Sequence, residues 1–339
     1  MKEIKVAIIG FGGIARSHYT AYYNLEQSGA PVRVAAVVDR NAAQFKSNAS
    51  INLGGTNVML SEEVHTYTDA DELLRCEDFD MADICLPSFL HKEYAVKLLR
   101  AGKHVLCEKP MALREEDCRE MVETAKECGR RLMIGQCLRF DPAYLYLKDC
   151  VDGGALGTLR YLTMQRLSEY PAWSVGSWFG DKEKCGGCLI DTHIHDIDMA
   201  RFLLGEPLSV SCVAHDNIPH CQLVNSRLFY EHATVVADGA WDEARPIPFY
   251  MGYDAKFDGG SVTFDGTSVL VKKNGEEAVA VDLPAEDRIG EEIRHFLALV
   301  ADPTLENTRN SAQSAARSVE LSRILERSAE QGGRVMKGL

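Results

Sequence analysis

At 339 residues the chain is long enough for about two domains of roughly 150 residues each. Hydrophobic residues make up 46% and charged residues 26%, and the net charge of -13 argues against a nucleic-acid partner, since phosphate binding needs basic patches, and gives no reason to expect an anionic membrane surface. The eleven cysteines are odd in number and scattered, no apolar run is long enough to span a bilayer, and Ile4–Ile9 carries Lys5 and runs into glycines rather than a cleavage site, so a cytoplasmic protein with reduced thiols is expected.

Strand and helix signals alternate in the first part. Val6–Ile9 reads as a buried strand, Ile14–Leu25 as a helix and Val32–Val38 as a β-branched strand. Asp80–Leu86 is a further strand, His91–Arg100 a helix stopped near Gly102, and His104–Cys107 the next strand. Leu113–Cys128 is an amphipathic helix and Leu132–Gly135 one more strand. This alternation predicts a Rossmann-type, doubly wound parallel α/β sheet over about residues 1–125, with a soft boundary.

The pattern changes over residues 126–339. Leu159–Leu167, Leu208–Ala214, Arg227–Val236, Ala255–Phe257, Ser261–Phe264, Val269–Lys272 and Ala278–Val281 are strand candidates, with turns at Gly259-Gly260, Asp265-Gly266 and Asn274-Gly275. They predict an antiparallel meander in an α+β domain, closed by helices at Arg288–Ala301 and Ser311–Gln331.

Gly10-Phe11-Gly12-Gly13-Ile14-Ala15 matches G-x-G-x-x-G/A between a strand and a helix. Gly10 permits the tight turn, Gly12 lets the backbone approach a pyrophosphate, and the helix N-terminus offers free N–H groups to the phosphates. Asp39, at the end of the second strand, stands where an acidic residue accepts ribose hydroxyls. A carboxylate there repels a 2′-phosphate and favours NAD, while the neighbouring Arg40 leaves NADP open.

Glu108-Lys109-Pro110 ends the apolar run His104–Cys107. Proline stops the ladder, and a lysine at a strand end can be partly desolvated, which favours its basic form. Asp191-Thr192-His193-Ile194-His195-Asp196-Ile197-Asp198 is the densest polar cluster. If this stretch is helical, Asp191 and His195 share a face at i and i+4 and form a proton-moving pair. A helix-start carboxylate and a metal site through His193 and His195 are the alternatives. Cys185 and Cys188 have C-x-x-C spacing without a second pair, which leaves a metal or redox role the weaker reading.

Together with Gly186-Gly187, these motifs and the string Ala101-Gly102-Lys103-His104-Val105-Leu106-Cys107-Glu108-Lys109-Pro110 resemble the glucose–fructose oxidoreductase and inositol dehydrogenase family, Gfo/Idh/MocA, over nearly the whole chain. The resemblance implies an N-terminal Rossmann domain, a C-terminal domain with an open, mostly antiparallel sheet, and a homodimer or homotetramer built on that sheet. It implies NAD(P)-dependent oxidation of a secondary alcohol on a polyhydroxylated small molecule such as a sugar or cyclitol. Lys109, Asp191 and His195 match its catalytic residues, Pro87 and His91 a loop bordering the nicotinamide and ribose, and Glu108 a cofactor-side position. His193 departs from the glycine many members carry, and Arg139 is a substrate candidate whose alternative is a structural ion pair. Trp178, with Tyr161 and Tyr170–Trp173, is a candidate sugar-stacking face, with buried aromatics as the alternative. A non-catalytic dinucleotide sensor and a metal-dependent hydrolase or lyase are the competing functional classes.

Overall fold

A computed structural model describes residues 2–46, 59–172, 175–218, 221–242 and 249–338. The chain divides into two compact units, Met1–Cys137 with Asp287–Ala316, and Leu138–Glu286 with Arg317–Leu339.

The first unit is built from β1 (Ile4–Ile9), α1 (Gly13–Gln27), β2 (Val32–Val38), β3 (His65–Tyr67), α2 (Ala70–Cys76), β4 (Met81–Ile84), α3 (His91–Arg100), β5 (His104–Glu108), α4 (Glu115–Glu127) and β6 (Leu132–Gly135). The six strands run parallel in the order β3-β2-β1-β4-β5-β6. That is the doubly wound order, with its switch point between β1 and β4. Strands buried on both faces read as continuous apolar runs, and Val6, Ala7, Ile8, Val105, Leu106 and Cys107 are wholly buried. Residue 125 lies inside α4, and β6 pairs with β5, so the parallel sheet is complete only beyond it. A later helix, numbered in chain order below, contributes Ile293 and Phe296 to the same core as Tyr19 and Tyr22 of α1.

The second unit contains α5 (Pro142–Gly153), β7 (Leu159–Ser168), α6 (Lys182–Cys185), α7 (Gly187–Asp191), α8 (Ile194–Leu204), β8 (Ser209–Ile218), β9 (Cys221–Phe229), β10 (Thr234–Asp242), β11 (Tyr250–Phe257), β12 (Gly260–Phe264), β13 (Val269–Lys273) and β14 (Val279–Ala280). The helix returning to the first unit is α9 (Arg288–Ala301), and α10 (Ala312–Glu330) and β15 (Met336–Lys337) follow. The nine-stranded sheet has the order β14-β13-β12-β11-β7-β10-β9-β8-β15. On β7, Leu162, Met164 and Arg166 are buried while Tyr161 and Gln165 on the other face are exposed and Thr163 is half-buried, the alternation of a sheet covered on one face.

Two expectations change. The meander is not wholly antiparallel, because β10 runs parallel to β7 from Thr234–Tyr161 to Trp241–Ser168. Arg227–Val236 is not one strand: β9 ends at Phe229, β10 starts at Thr234, and they pair antiparallel. Among the described residues no helix is long and apolar enough to cross a membrane.

Candidate active site

The glycine loop leaves the carboxyl end of β1. Gly10 has φ 89°, and a Cβ there would stand 2.8 Å from the Cys85 carbonyl oxygen, so only glycine fits. Gly12 caps α1 with no side-chain hydrogen bond, and a Cβ on it would meet nothing within 4 Å. The helix start therefore has open space and no side-chain cap, which suits an anionic pyrophosphate. Ala15 is fully buried, as close helix–strand packing requires. One Asp39 oxygen accepts the Phe11 N–H at 2.9 Å and the other the Asn41 N–H at 2.8 Å. The carboxylate thus fixes the loop and keeps lone pairs for a ribose. Arg40 beside it is exposed. These residues fit a nicotinamide dinucleotide.

Two further loops leave the same sheet edge. After β4, Pro87 starts a short turn and Ser88–Leu90 leads into α3. His91 is 1% exposed, and its ring nitrogens lie 2.8 Å from the Pro110 carbonyl and 2.7 Å from the Leu86 carbonyl. It ties the β4 loop to the β5 loop; burial pulls its pKa down against the two carbonyls. Glu108 ends β5, and its Oε2 accepts the Lys109 N–H at 3.2 Å. The Lys109 side chain is half-buried.

Lys109 belongs to the first unit, and Asp191 and His195 to the second. The second-unit pair does not sit on one regular helix. Thr192 and His193 interrupt α7 and α8, and the His193 N–H bonds the Cys188 carbonyl, five residues back, at 2.9 Å. This π-type turn adds a residue to the spacing, so the simple i, i+4 argument does not hold across it. Asp191 is 8% exposed and is set by a chain that sequence reasoning missed: Trp241 Nε1 donates to Thr192 Oγ1 at 2.8 Å, and that hydroxyl donates to Asp191 Oδ2 at 3.2 Å. Thr192 lies inside the motif; Trp241 gave no local signal. His195, at the start of α8, is partly exposed.

Three substrate candidates have other surroundings. His193 is wholly buried with Nε2 2.8 Å from Ser226 Oγ, and burial drives its pKa down to about 4. A Cβ on Gly239 of β10 would come within 2.8 Å of its Nδ1, so the bulk of His193 is received by a glycine on the sheet. A buried ring presents no surface to a ligand. Arg139 is 3% exposed and forks onto Asp198, Nε to Oδ2 at 2.8 Å and Nη2 to Oδ1 at 2.7 Å, as the structural alternative describes. Trp178, partly exposed, stacks on Phe179 at 3.8 Å, and Phe179 packs edge-on against Trp241, the partner of Thr192. Trp173 lies outside the described residues.

The cysteine pair is sealed. Burial pushes the Cys185 thiol up to about 11 and Cys188 well above its ordinary value, which keeps both as inert thiols. Among the described residues the group close enough to hold an ion is His18, Asp83 and Cys85, not the His193/His195 pair.

Comparison with known proteins follows this division. Residues 4–136 match the profile of the GFO_IDH_MocA oxidoreductase family, NAD-binding Rossmann fold, and residues 144–245 match the GFO/IDH/MocA C-terminal domain. A 2,7-anhydro-N-acetylneuraminate hydratase of Mediterraneibacter gnavus is 31% identical over 220 residues, 65% of this chain and 54% of that protein. A D-glucoside 3-dehydrogenase of Escherichia coli is 33% identical over 215 residues, 62% of this chain and 57% of that protein. The chain spans about half the length of the curated relatives it matches. The crystal structure of an aldose-aldose oxidoreductase from Caulobacter crescentus, complexed with glycerol, has a TM-score of 0.82 at 23% identity over 99% of this chain and 100% of that one, a likeness of fold.

Proposed function

Because the chain belongs to the Gfo/Idh/MocA family, with its Rossmann and C-terminal domains both matched, we propose that it is an NAD-dependent dehydrogenase acting on a secondary alcohol of a sugar, cyclitol or related polyol. One observation carries the reading: the glycine loop after β1 and Lys109 after β5 leave the same carboxyl edge of one parallel sheet, at and beside its switch point. Ligands of open α/β sheets bind at that place.

When bound, the cofactor supplies the hydride acceptor. Gly10–Ile14 and Asp39 hold its phosphates and ribose, with Arg40, Pro87 and Glu108 as supporting positions, while buried His91 acts by tying the β4 and β5 loops together. Lys109 or His195 takes the hydroxyl proton, and the Asp191 carboxylate, oriented by Thr192 and Trp241, favours the positive charge that the proton acceptor gains. Asp39 favours NAD over NADP through repulsion of a 2′-phosphate. The half-open sheet face that carries Tyr161, Val213 and Leu223 is the proposed homodimer or homotetramer surface, and the protein is proposed to work in the cytoplasm.

The test is NADH formation across sugars, inositols and sugar acids, with NADP⁺ in parallel. NADH from at least one polyol supports the reading. One relative is named a hydratase, so a reaction without net NADH is the second reading, and product analysis of the same panel by mass spectrometry detects it. Product-free incubations with bound NAD⁺ favour the non-catalytic sensor.

A further inference from the structure

The first unit buries a charged cluster that ends at the Lys109 main chain, and two of its members, His18 and Asp83, have no part in the catalytic reading. His18, on α1, is wholly buried. Its Nδ1 lies 2.8 Å from Asp83 Oδ2 on β4, and its Nε2 lies 3.0 Å from Glu108 Oε1 at the end of β5. A neutral imidazole has one N–H and can donate to one of two carboxylates; the imidazolium donates to both. Burial opposes that charge, but Asp83 and Cys85 outweigh it and hold the His18 pKa well above its usual range. Burial likewise pushes Glu108 up, and the hydrogen bond and charge of His18, with Lys109 and His91, hold it below its ordinary value.

Glu108 has little freedom. A Cβ on Gly135, its partner across β5 and β6, would stand 2.8 Å from Oε1, so the carboxylate occupies space that only glycine leaves. Its Oε2 accepts the Lys109 N–H. The other titratable groups around the cluster are Tyr22 of α1, Cys85 after β4, Cys107 of β5, His91 of α3 and Glu292 of α9. Apolar side chains of similar volume are often as stabilising as a buried ion cluster. Stability alone therefore gives little reason for two carboxylates and a histidine here, whereas their end point at Lys109 does.

We propose that His18 is a positioning residue: anchored by Asp83, it fixes the Glu108 carboxylate so that β5 presents Lys109 in one orientation. This rests on Lys109 being the proton-transfer lysine.

The experiment is steady-state kinetics of His18→Gln and Asp83→Asn, with the panel polyol that gives most NADH in the wild type, alongside NAD⁺ titration and thermal unfolding. Asp83→Asn keeps the side chain's shape and covers the case in which His18→Gln does not fold. The expected result is a kcat lowered by about 10- to 100-fold, as misplacement of a reacting group costs, with the Kd for NAD⁺ within about twofold. The acid limb of kcat/KM should also move to higher pH, because Glu108 loses the cation that holds it below its ordinary value. Wild-type kcat and pH profile in a folded variant overturn the positioning role while leaving the dehydrogenase intact. A wild type that forms neither NADH nor product removes the premise and the proposal together, and Lys109→Ala with full turnover does the same.

Discussion

Both units bury charge, in opposite arrangements. In the second unit the pairs run side chain to side chain, and the Asp198 pair continues through Ser318 to Arg201. Arg139 forks onto Asp198, Arg166 forks onto Asp196 at 3.0 and 2.9 Å, and Ser318 donates to Asp198 at 2.7 Å. Both guanidiniums are matched by bidentate carboxylates that sit on α8. In the first unit the chain Asp83–His18–Glu108 is open-ended: it finishes at the main chain of a half-buried lysine on the sheet's carboxyl edge. A pair between side chains holds elements in register, while a chain that ends this way sets a group that must meet a ligand. Breaking the first kind should therefore cost stability, and breaking the second kind turnover.

The largest effect sharpens that contrast at its catalytic end. Lys109→Ala should lower turnover by about 10²- to 10⁴-fold, the usual worth of a general base, with NAD⁺ affinity and unfolding midpoint retained. In the second unit, Asp196→Ala leaves Arg166 buried without its carboxylate. Urea unfolding should show a loss of about 3–5 kcal/mol. A loss below about 1 kcal/mol would mean that the pair does not hold the fold as described.

His193 gives a pH-dependent version of the same idea. Its folded pKa of about 4 lies below the ordinary 6.5, so the unfolded chain binds the proton first as pH falls. Its contribution is complete above about pH 6.5 and is lost as pH drops toward 4, by about 3 kcal/mol in all. Urea midpoints measured across that window should fall more steeply in the wild type than in His193→Asn; equal slopes would remove the assignment. Gly10→Ala should have the smallest effect. The positive φ and the Cys85 carbonyl at 2.8 Å should cost about 1–3 kcal/mol, read as a lower melting temperature and weaker NAD⁺ binding.

The parallel sheet was legible because strands buried on both faces are unbroken apolar runs, and three of them, β1, β4 and β5, are followed by an amphipathic helix. α5 was missed although Asp141 caps it and Pro142 stands at its first turn, signals a reader can use. β3 and α2 were missed because one is a three-residue strand with two exposed positions and the other spans seven residues. The β9–β10 hairpin was hidden because Tyr230-Glu231-His232-Ala233 contains no glycine, proline or asparagine. The parallel β7–β10 pairing is a matter of topology that no local pattern carries.

The site divided in the same way. Gly10–Ala15, Asp39 and Glu108-Lys109-Pro110 are local strings whose order states their chemistry. His18 meets Asp83 and Glu108 across 65 and 90 residues, and Arg139 meets Asp198 across 59, so neither role is visible from spacing. The π-type turn at His193 misled for a different reason: helical dihedrals continue through Thr192 and His193, and only the hydrogen-bond register slips.

The most direct measurement is NADH formation by wild type and Lys109→Ala, run with one polyol panel and one NAD⁺ concentration, with NAD⁺ binding measured on both proteins. A dehydrogenase of this kind forms NADH from at least one polyol in the wild type, with a fall of about 10²- to 10⁴-fold in the variant and matching NAD⁺ affinities. A variant that turns over at the wild-type rate, or a wild type that binds NAD⁺ and transforms no member of the panel, would contradict the proposed function.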